Sequence, residues 1–228
     1  MNICVIPARG GSKRIPKKNI RLFCGKPIIK WSIEAALKSE CFDKVIVSTD
    51  CDEISAISKN FGAEVPFIRP TDLSDDHTPT IPVLKHAIDF VNKQYGKVEY
   101  ACCIYATAPF IESKYIKLGL KKIADEKANF AFSATSFPFP IQRAIKIDKN
   151  NRSLMFFPQE FNTRSQDLES CFHDAAQFYW GRASAWLSNK NIFQDNSLPI
   201  IIPRYKVQDI DNEEDWLRAE MMFKSLNY

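Results

Sequence analysis

The sequence predicts an α/β fold, a doubly wound and mostly parallel sheet in a single domain spanning 1–228. Three observations carry that prediction. Short apolar, β-branched runs alternate with segments whose apolar residues recur at helical spacing. The 228 residues suit one such domain and would cramp two. The loops richest in glycine and charge follow strand ends, where open α/β sheets bind ligands.

The elements follow in order. Asn2–Pro7 is a short apolar run that reads as a buried strand entering a Gly-Gly loop. Ile29, Ile33, Ala36 and Leu37 mark a helix over Ile28–Ser39. K-V-I-V-S-T at 44–49 reads as a central parallel strand, apolar on both faces. Ile54, Ile57 and Phe61 share one helical face, and Gly62 stops that helix. A third short strand is expected at 64–68, a helix at 82–95 from Leu84, Ala87, Ile88 and Val91, and a fourth strand at 100–106. Ile116, Leu120 and Ile123 mark the next helix, and 129–136 a fifth strand. From Phe137 the character changes. Residues 137–170 form an aromatic and proline-rich excursion with a polar turn at 148–152. The alternation resumes at 176–181 and 199–202, and closes in a helix bearing Trp216, Ala219, Phe223 and Leu226, with Trp180 and Trp216 expected in the core.

Composition excludes several classes. Apolar residues make up 45% and charged residues 25%, ordinary for a globular protein rather than a disordered one. No apolar run approaches the ~18 residues of a spanning helix, and the N-terminus breaks at Pro7 without a preceding basic region, so neither a membrane span nor a signal peptide is expected. A net charge of +4 is too modest for a nucleic-acid binder. Seven cysteines without a C-x-x-C pair, and three histidines, give no zinc framework; the cysteines read as reduced fillers of a cytoplasmic protein's core.

Two loops carry chemistry. P-A-R-G-G-S-K-R-I-P-K-K-N at 7–19 packs Arg9, Lys13, Arg14, Lys17 and Lys18 around Gly10 and Gly11. Glycines expose backbone N–H groups, Ser12 adds a hydroxyl and the cations neutralise charge, so a polyphosphate is the natural ligand. The spacing matches neither the dinucleotide fingerprint nor the P-loop. The second loop is Q-D-I-D at 208–211. In an extended segment Asp209 and Asp211 point to the same side and can converge on one hard cation. Equally, Asp211 or Asn212 can serve as the N-cap of a helix opened by Glu213, Glu214 and Asp215. Both readings stand at this point, although a basic loop and a carboxylate pair together favour a Mg²⁺-nucleotide site.

These residues resemble the CMP-sialic acid synthetase family, the acylneuraminate cytidylyltransferases. The resemblance rests on the loop at 7–19, V-I-V-S-T-D at 45–50, I-R-P-T-D-L-S-D-D at 68–76 and Q-D-I-D. Y-A-T-A-P at 105–109 and H-D-A-A-Q-F-Y-W-G at 173–181 look like the family's pseudaminic acid branch.

The resemblance implies a Rossmann-like nucleotidyltransferase fold and transfer of CMP from CTP to a nonulosonic acid, with Mg²⁺ as cofactor. It implies that Arg9, Ser12, Lys13, Lys18 and Asn19, with Gly10 and Gly11, hold the phosphates, and that Arg69 and Thr78 sit at the base and ribose. Asp209 and Asp211 would hold the metal, with Arg9, Lys18 and Asp211 the catalytic set. Tyr105, Arg164, Gln166, His173, Asp174 and Gln177 are the sugar-side candidates, Arg164 for the carboxylate. Asp76 and His77 read as solvated polar groups of the nucleotide-side loop, and His86 as an unremarked helix residue. A homodimer through 137–170 is expected, because Phe137, Phe139, Met155, Phe156, Phe157 and Phe161 have no evident use in a compact core. The alternative is that the excursion folds back as a satellite core. Other ulosonic acids, or a CTP-sensing module without turnover, are the rival functions.

Overall fold

The computed structural model describes residues 1–76, 78–194 and 196–226. In chain order it contains β1 (Asn2–Pro7), a small hairpin of β2 (Leu22–Phe23) and β3 (Lys26–Pro27), α1 (Ile28–Ser39), β4 (Lys44–Ser48), α2 (Asp52–Asn60) and α3 (Thr80–Gln94). There follow β5 (Tyr100–Ile104), α4 (Ser113–Asp125), β6 (Phe130–Ser136), β7 (Ile145–Ile147) and β8 (Ser153–Met155). The chain closes with β9 (Phe172–Arg182), α5 (Ala183–Leu187), β10 (Ser197–Ile201) and α6 (Glu213–Leu226).

Six strands form one sheet in the order β10-β6-β9-β5-β1-β4. Every pairing is parallel except the two made by β9, which runs antiparallel between β5 and β6. The expected mostly parallel sheet is present. Because β9 is reversed, its first residues lie beside the last residues of β6, with Asp174 opposite Ala134 and His173 opposite Thr135. A strand that begins there delivers side chains to the ligand-binding edge.

The two faces of the sheet are buried by alternating residues of the same strands. Cys4, Ile6, Cys102 and Ile104 pack with Ile29, Ile33, Ile116 and Ile123 from α1 and α4 on one face. Ile3, Val5 and Cys103 pack with Leu84, Ile88 and Val91 from α3 on the other. A third, smaller cluster matters more for the site. Ile15 of the glycine loop and Ile210, between the two aspartates of Q-D-I-D, share it with Phe23, Phe110 and Trp216. Burying these two isoleucines together ties the two loops to one another. Trp180 and Trp216 are core residues, and the cysteines are all unpaired among the described residues. No helix there is long and apolar enough to cross a membrane.

Three expectations need correction. The strand at 64–68 does not form: only Glu64 bridges to Ile46, because Pro66 has no N–H to continue a ladder at this edge. The strand expected at 176–181 is eleven residues long, and α5 after it was not anticipated. Its pattern is masked by a bulge opposite Ser133, where Ala176 takes a left-handed φ of 51° and Ser133 Oγ accepts the N–H groups of Gln177 and Phe178. Finally, the alternative given for the excursion, a satellite core, does not form. None of residues 137–170 is buried, and Phe139, Phe156 and Phe161 are 78%, 58% and 67% exposed. The polar turn at 148–152 does close a hairpin, β7 to β8.

Candidate active site

One cavity of about 600 Å³ opens at the carboxyl end of β1. Its wall includes Arg9, Ser12, Lys13, Lys18 and Asn19 from the glycine loop, Arg69 and Thr78 from the loop before α3, and Tyr105 after β5. Residues separated by nearly a hundred positions thus converge on one cavity. Arg14, Asp75, Asp76 and Thr80 also line it; Thr80 gave no signal in the sequence.

The loop's cations are held by carboxylates in this state. Arg9 Nη1 donates to the Asp75 carbonyl at 2.5 Å and lies 2.8 Å from Asp76 Oδ1. Lys13 Nζ lies 2.5 Å from Asp76 Oδ2, a bond that holds the Asp76 carboxyl below its ordinary range. Asp76 is therefore a partner of the loop rather than a merely solvated group. His77 lies outside the described residues. On the other flank, Arg14 Nη2 sits 2.9 Å and Lys18 Nζ 3.7 Å from Asp211 Oδ1, and Lys18 donates to the Ile210 carbonyl at 2.5 Å. Burial pulls the Lys18 ammonium below its ordinary value, against the opposing pull of Asp211 and Asp209. Asn19 Nδ2 donates to the Arg9 carbonyl at 2.9 Å, bracing the loop across its neck. One part of the prediction changes: the Gly10 N–H is not exposed to a ligand but donates to Asp50 Oδ1 at 2.9 Å.

The cap half of the choice at Q-D-I-D falls to Asn212 rather than Asp211. Asn212 Oδ1 accepts the Asp215 N–H at 3.0 Å, while Asp215 Oδ2 accepts the N–H groups of Asp211 and Asn212 at 3.0 and 3.1 Å. This reciprocal box satisfies the start of α6 without the Asp211 side chain. With Ile210 fully buried, the alternation of an extended segment leaves Asp209 and Asp211 both directed away from the small core. Burial, followed by the charges of Asp211 and nearby Asp174, raises the Asp209 carboxyl above its ordinary value. Two neighbouring carboxylates, one of them facing Lys18 of the cavity wall, are the donor type that a hard divalent cation takes. Among the described residues no cluster of three or more metal-binding side chains forms, so the remaining ligands of such a cation would be substrate and water oxygens.

The sugar-side candidates divide. Tyr105 lines the cavity, its hydroxyl 3.2 Å from Thr80 Oγ1, and burial, then Cys103, pushes it up to about 12. Asp174 accepts from the Tyr179 hydroxyl at 2.5 Å and from the Ala176 N–H at 2.9 Å, so the bulge fixes its carboxylate. Gln177 is 3% exposed and donates to the Lys206 carbonyl at 2.6 Å, leaving its Oε1 without a partner. His173 turns its Nδ1 to the Asp174 carbonyl at 2.8 Å and its ring to Phe137. Of these six candidates only Tyr105 lines the cavity: His173, Asp174 and Gln177 do not, and neither do Arg164 and Gln166. Both are exposed on the excursion, where Arg164 pairs with Asp167 at 2.7 Å.

Comparison with known proteins gives the family and the fold. Residues 3–224 match the cytidylyltransferase family. The chain is 43% identical over 223 residues to a pseudaminic acid cytidylyltransferase of Campylobacter jejuni, covering 98% of this chain and 96% of that one. It is 31% identical over 215 residues to an N-acylneuraminate cytidylyltransferase of Escherichia coli, covering 94% of this chain and 50% of the relative. Among solved structures, a CMP:2-keto-3-deoxy-manno-octonic acid synthetase superposes with a TM-score of 0.71 at 16% identity over 99% of both chains, which establishes the shared fold.

Proposed function

The chain belongs to the cytidylyltransferase family, and from that membership we propose that it transfers CMP from CTP to the anomeric hydroxyl of pseudaminic acid, releasing pyrophosphate. The observation that carries the reading is the single cavity in which the basic glycine loop, Arg69 and Tyr105 meet beside the Asp209–Asp211 pair. The sugar is assigned from the 43% identity, over nearly the whole length of both chains, to a relative bearing that activity.

The anomeric hydroxyl attacks the α-phosphorus and pyrophosphate departs. Such a displacement asks for positioning and charge neutralisation more than covalent chemistry. Arg9, Lys13 and Lys18 exchange their carboxylate partners for phosphate oxygens, Ser12 and Asn19 hold the loop and its ligand, and Arg69 and Thr78 face base and ribose. Lys18, already partly desolvated, would bind an anion more strongly than an exposed lysine. Asp209 and Asp211 would hold Mg²⁺, which when bound neutralises phosphate charge. Tyr105, Asp174 and Gln177 orient the sugar from the ligand edge of the sheet. The exposed aromatic face of 137–170 would pair two copies, carrying Arg164 and Gln166 toward the neighbouring copy's sugar half.

A pyrophosphate-release screen over the four nucleoside triphosphates and a panel of nonulosonic acids tests the reading. CTP with pseudaminic acid is expected to lead. UTP presents an acceptor where cytosine offers an amine donor, which leaves site groups unpaired. Equal turnover of sialic acid would overturn the sugar assignment.

A further inference from the structure

We propose that Asp50 is a positioning residue for CTP, holding the glycine loop in its binding shape through the Gly10 N–H. The inference rests on reading the cavity as the CTP site. Residues 48–50, at the carboxyl end of β4, grip both walls of that cavity. The Ser48 carbonyl accepts the Ala8 N–H at 2.9 Å, and the Thr49 carbonyl accepts the Arg69 N–H at 2.8 Å. Asp50 Oδ1 accepts the Gly10 N–H at 2.9 Å and faces Arg69 Nη2 at 3.9 Å.

A carboxylate beside a polyphosphate site opposes the incoming charge, so its presence calls for a compensating task. Two features supply one. Gly10 sits so close to the chain after β4 that a Cβ there would meet Cys51 Cβ at 3.0 Å, so the loop is docked on this strand end by contact as well as by the hydrogen bond. Arg69, which lines the cavity, is 4% exposed and its Nη2 has no hydrogen-bond partner, so Asp50 is the charge that faces it, at 3.9 Å. Burial lowers the Arg69 pKa while Asp50 raises it. Asp50 thereby connects the loop on the phosphate side to the arginine on the base side.

The test separates geometry from charge. Asp50→Asn keeps an oxygen acceptor for Gly10 and removes the charge; Asp50→Glu keeps the charge and displaces the acceptor by one methylene. CTP affinity by calorimetry and kcat by pyrophosphate release are measured on each, with thermal unfolding as a check that both fold. Asp50→Asn is expected to bind CTP several-fold more weakly, because Arg69 loses the charge that faces it, and Asp50→Glu to bind it more than tenfold more weakly with kcat reduced further, as for a misplaced positioning group. A glutamate variant as good as the parent, or an asparagine variant as poor as the glutamate one, overturns the proposal. CTP affinity is read without the sugar. A parent protein that binds CTP yet fails to turn over pseudaminic acid would therefore sink the sugar assignment and leave the Asp50 test intact.

Discussion

The glycine loop at 7–19 and the excursion at 137–170 are both irregular and both project side chains toward solvent, yet they are finished to different degrees. In the loop, Arg9, Lys13, Arg14, Lys17 and Lys18 each face a carboxylate of the same chain, and Ile15 is fully buried as an anchor. In the excursion, three phenylalanines stand in solvent and no residue is buried. Charges can wait in ion pairs for a ligand at little cost, whereas exposed aromatic area has only another apolar surface to meet. The difference teaches that the charges of the loop find partners within one chain, while the aromatic side chains of the excursion do not.

The largest effect is expected where the nucleotide half depends on Asp211. Asp211→Ala should cost about a thousandfold in turnover with the far-UV circular dichroism unchanged, since several kcal/mol of transition-state stabilisation depend on such groups. Its neighbour sharpens the point: Asn212→Ala should lower stability by ~1 kcal/mol in denaturant melts, with near-normal rate, as loss of a cap does. A fully active Asp211→Ala protein would break the assignment.

Next in size is the excursion. Phe156→Glu combined with Phe157→Glu should dissociate a dimer in sedimentation at micromolar concentration and lower sugar turnover by roughly tenfold or more, as removal of central apolar anchors does. CTP affinity should be unchanged. If CTP binding falls in step, the two regions are not separable and the contrast fails.

A smaller change is expected at Asp76, which pairs with Arg9 and Lys13 and would compete for them with a triphosphate. Asp76→Asn should tighten CTP binding by a few fold at low ionic strength, and the gain should shrink as salt screens the exposed pair. Calorimetry at two salt concentrations checks this, and a salt-independent loss of affinity would contradict it.

The smallest effect concerns pH. Burial lowers the His86 pKa below the ordinary imidazole value of 6.5, with Asp72 and Asp89 opposing and Arg69 assisting, and its ring packs on Phe67. A depressed folded value means that the unfolded chain binds the proton more readily. The stabilisation is present above 6.5 and is lost as pH falls through the folded value. Melting curves of the parent should drop more steeply between neutral and mildly acidic pH than those of His86→Gln, and equal slopes would exclude the effect.

By itself the sequence determined the alternation of strands and helices, the basic glycine loop and the spacing of the carboxylate pair, because periodicity, glycine placement and charge spacing are properties of neighbouring residues. Tertiary structure decided what depends on partners far along the chain. The Gly10 N–H was legible as a donor, but its acceptor Asp50 lies 40 residues away. Whether Asp211 or Asn212 capped α6 was settled by Asp215 together with the burial of Ile210 beside Ile15. Glu64 began a strand that Pro66 could not extend. The reversed β9 and its bulge at Ala176 were hidden, since a short apolar run carries no sign of its direction, and a left-handed alanine no sign that Ser133 will satisfy the N–H groups that follow it. Local pattern specifies which element forms. Which groups face one another across the site is fixed only when long-range packing chooses among partners that the sequence leaves equivalent.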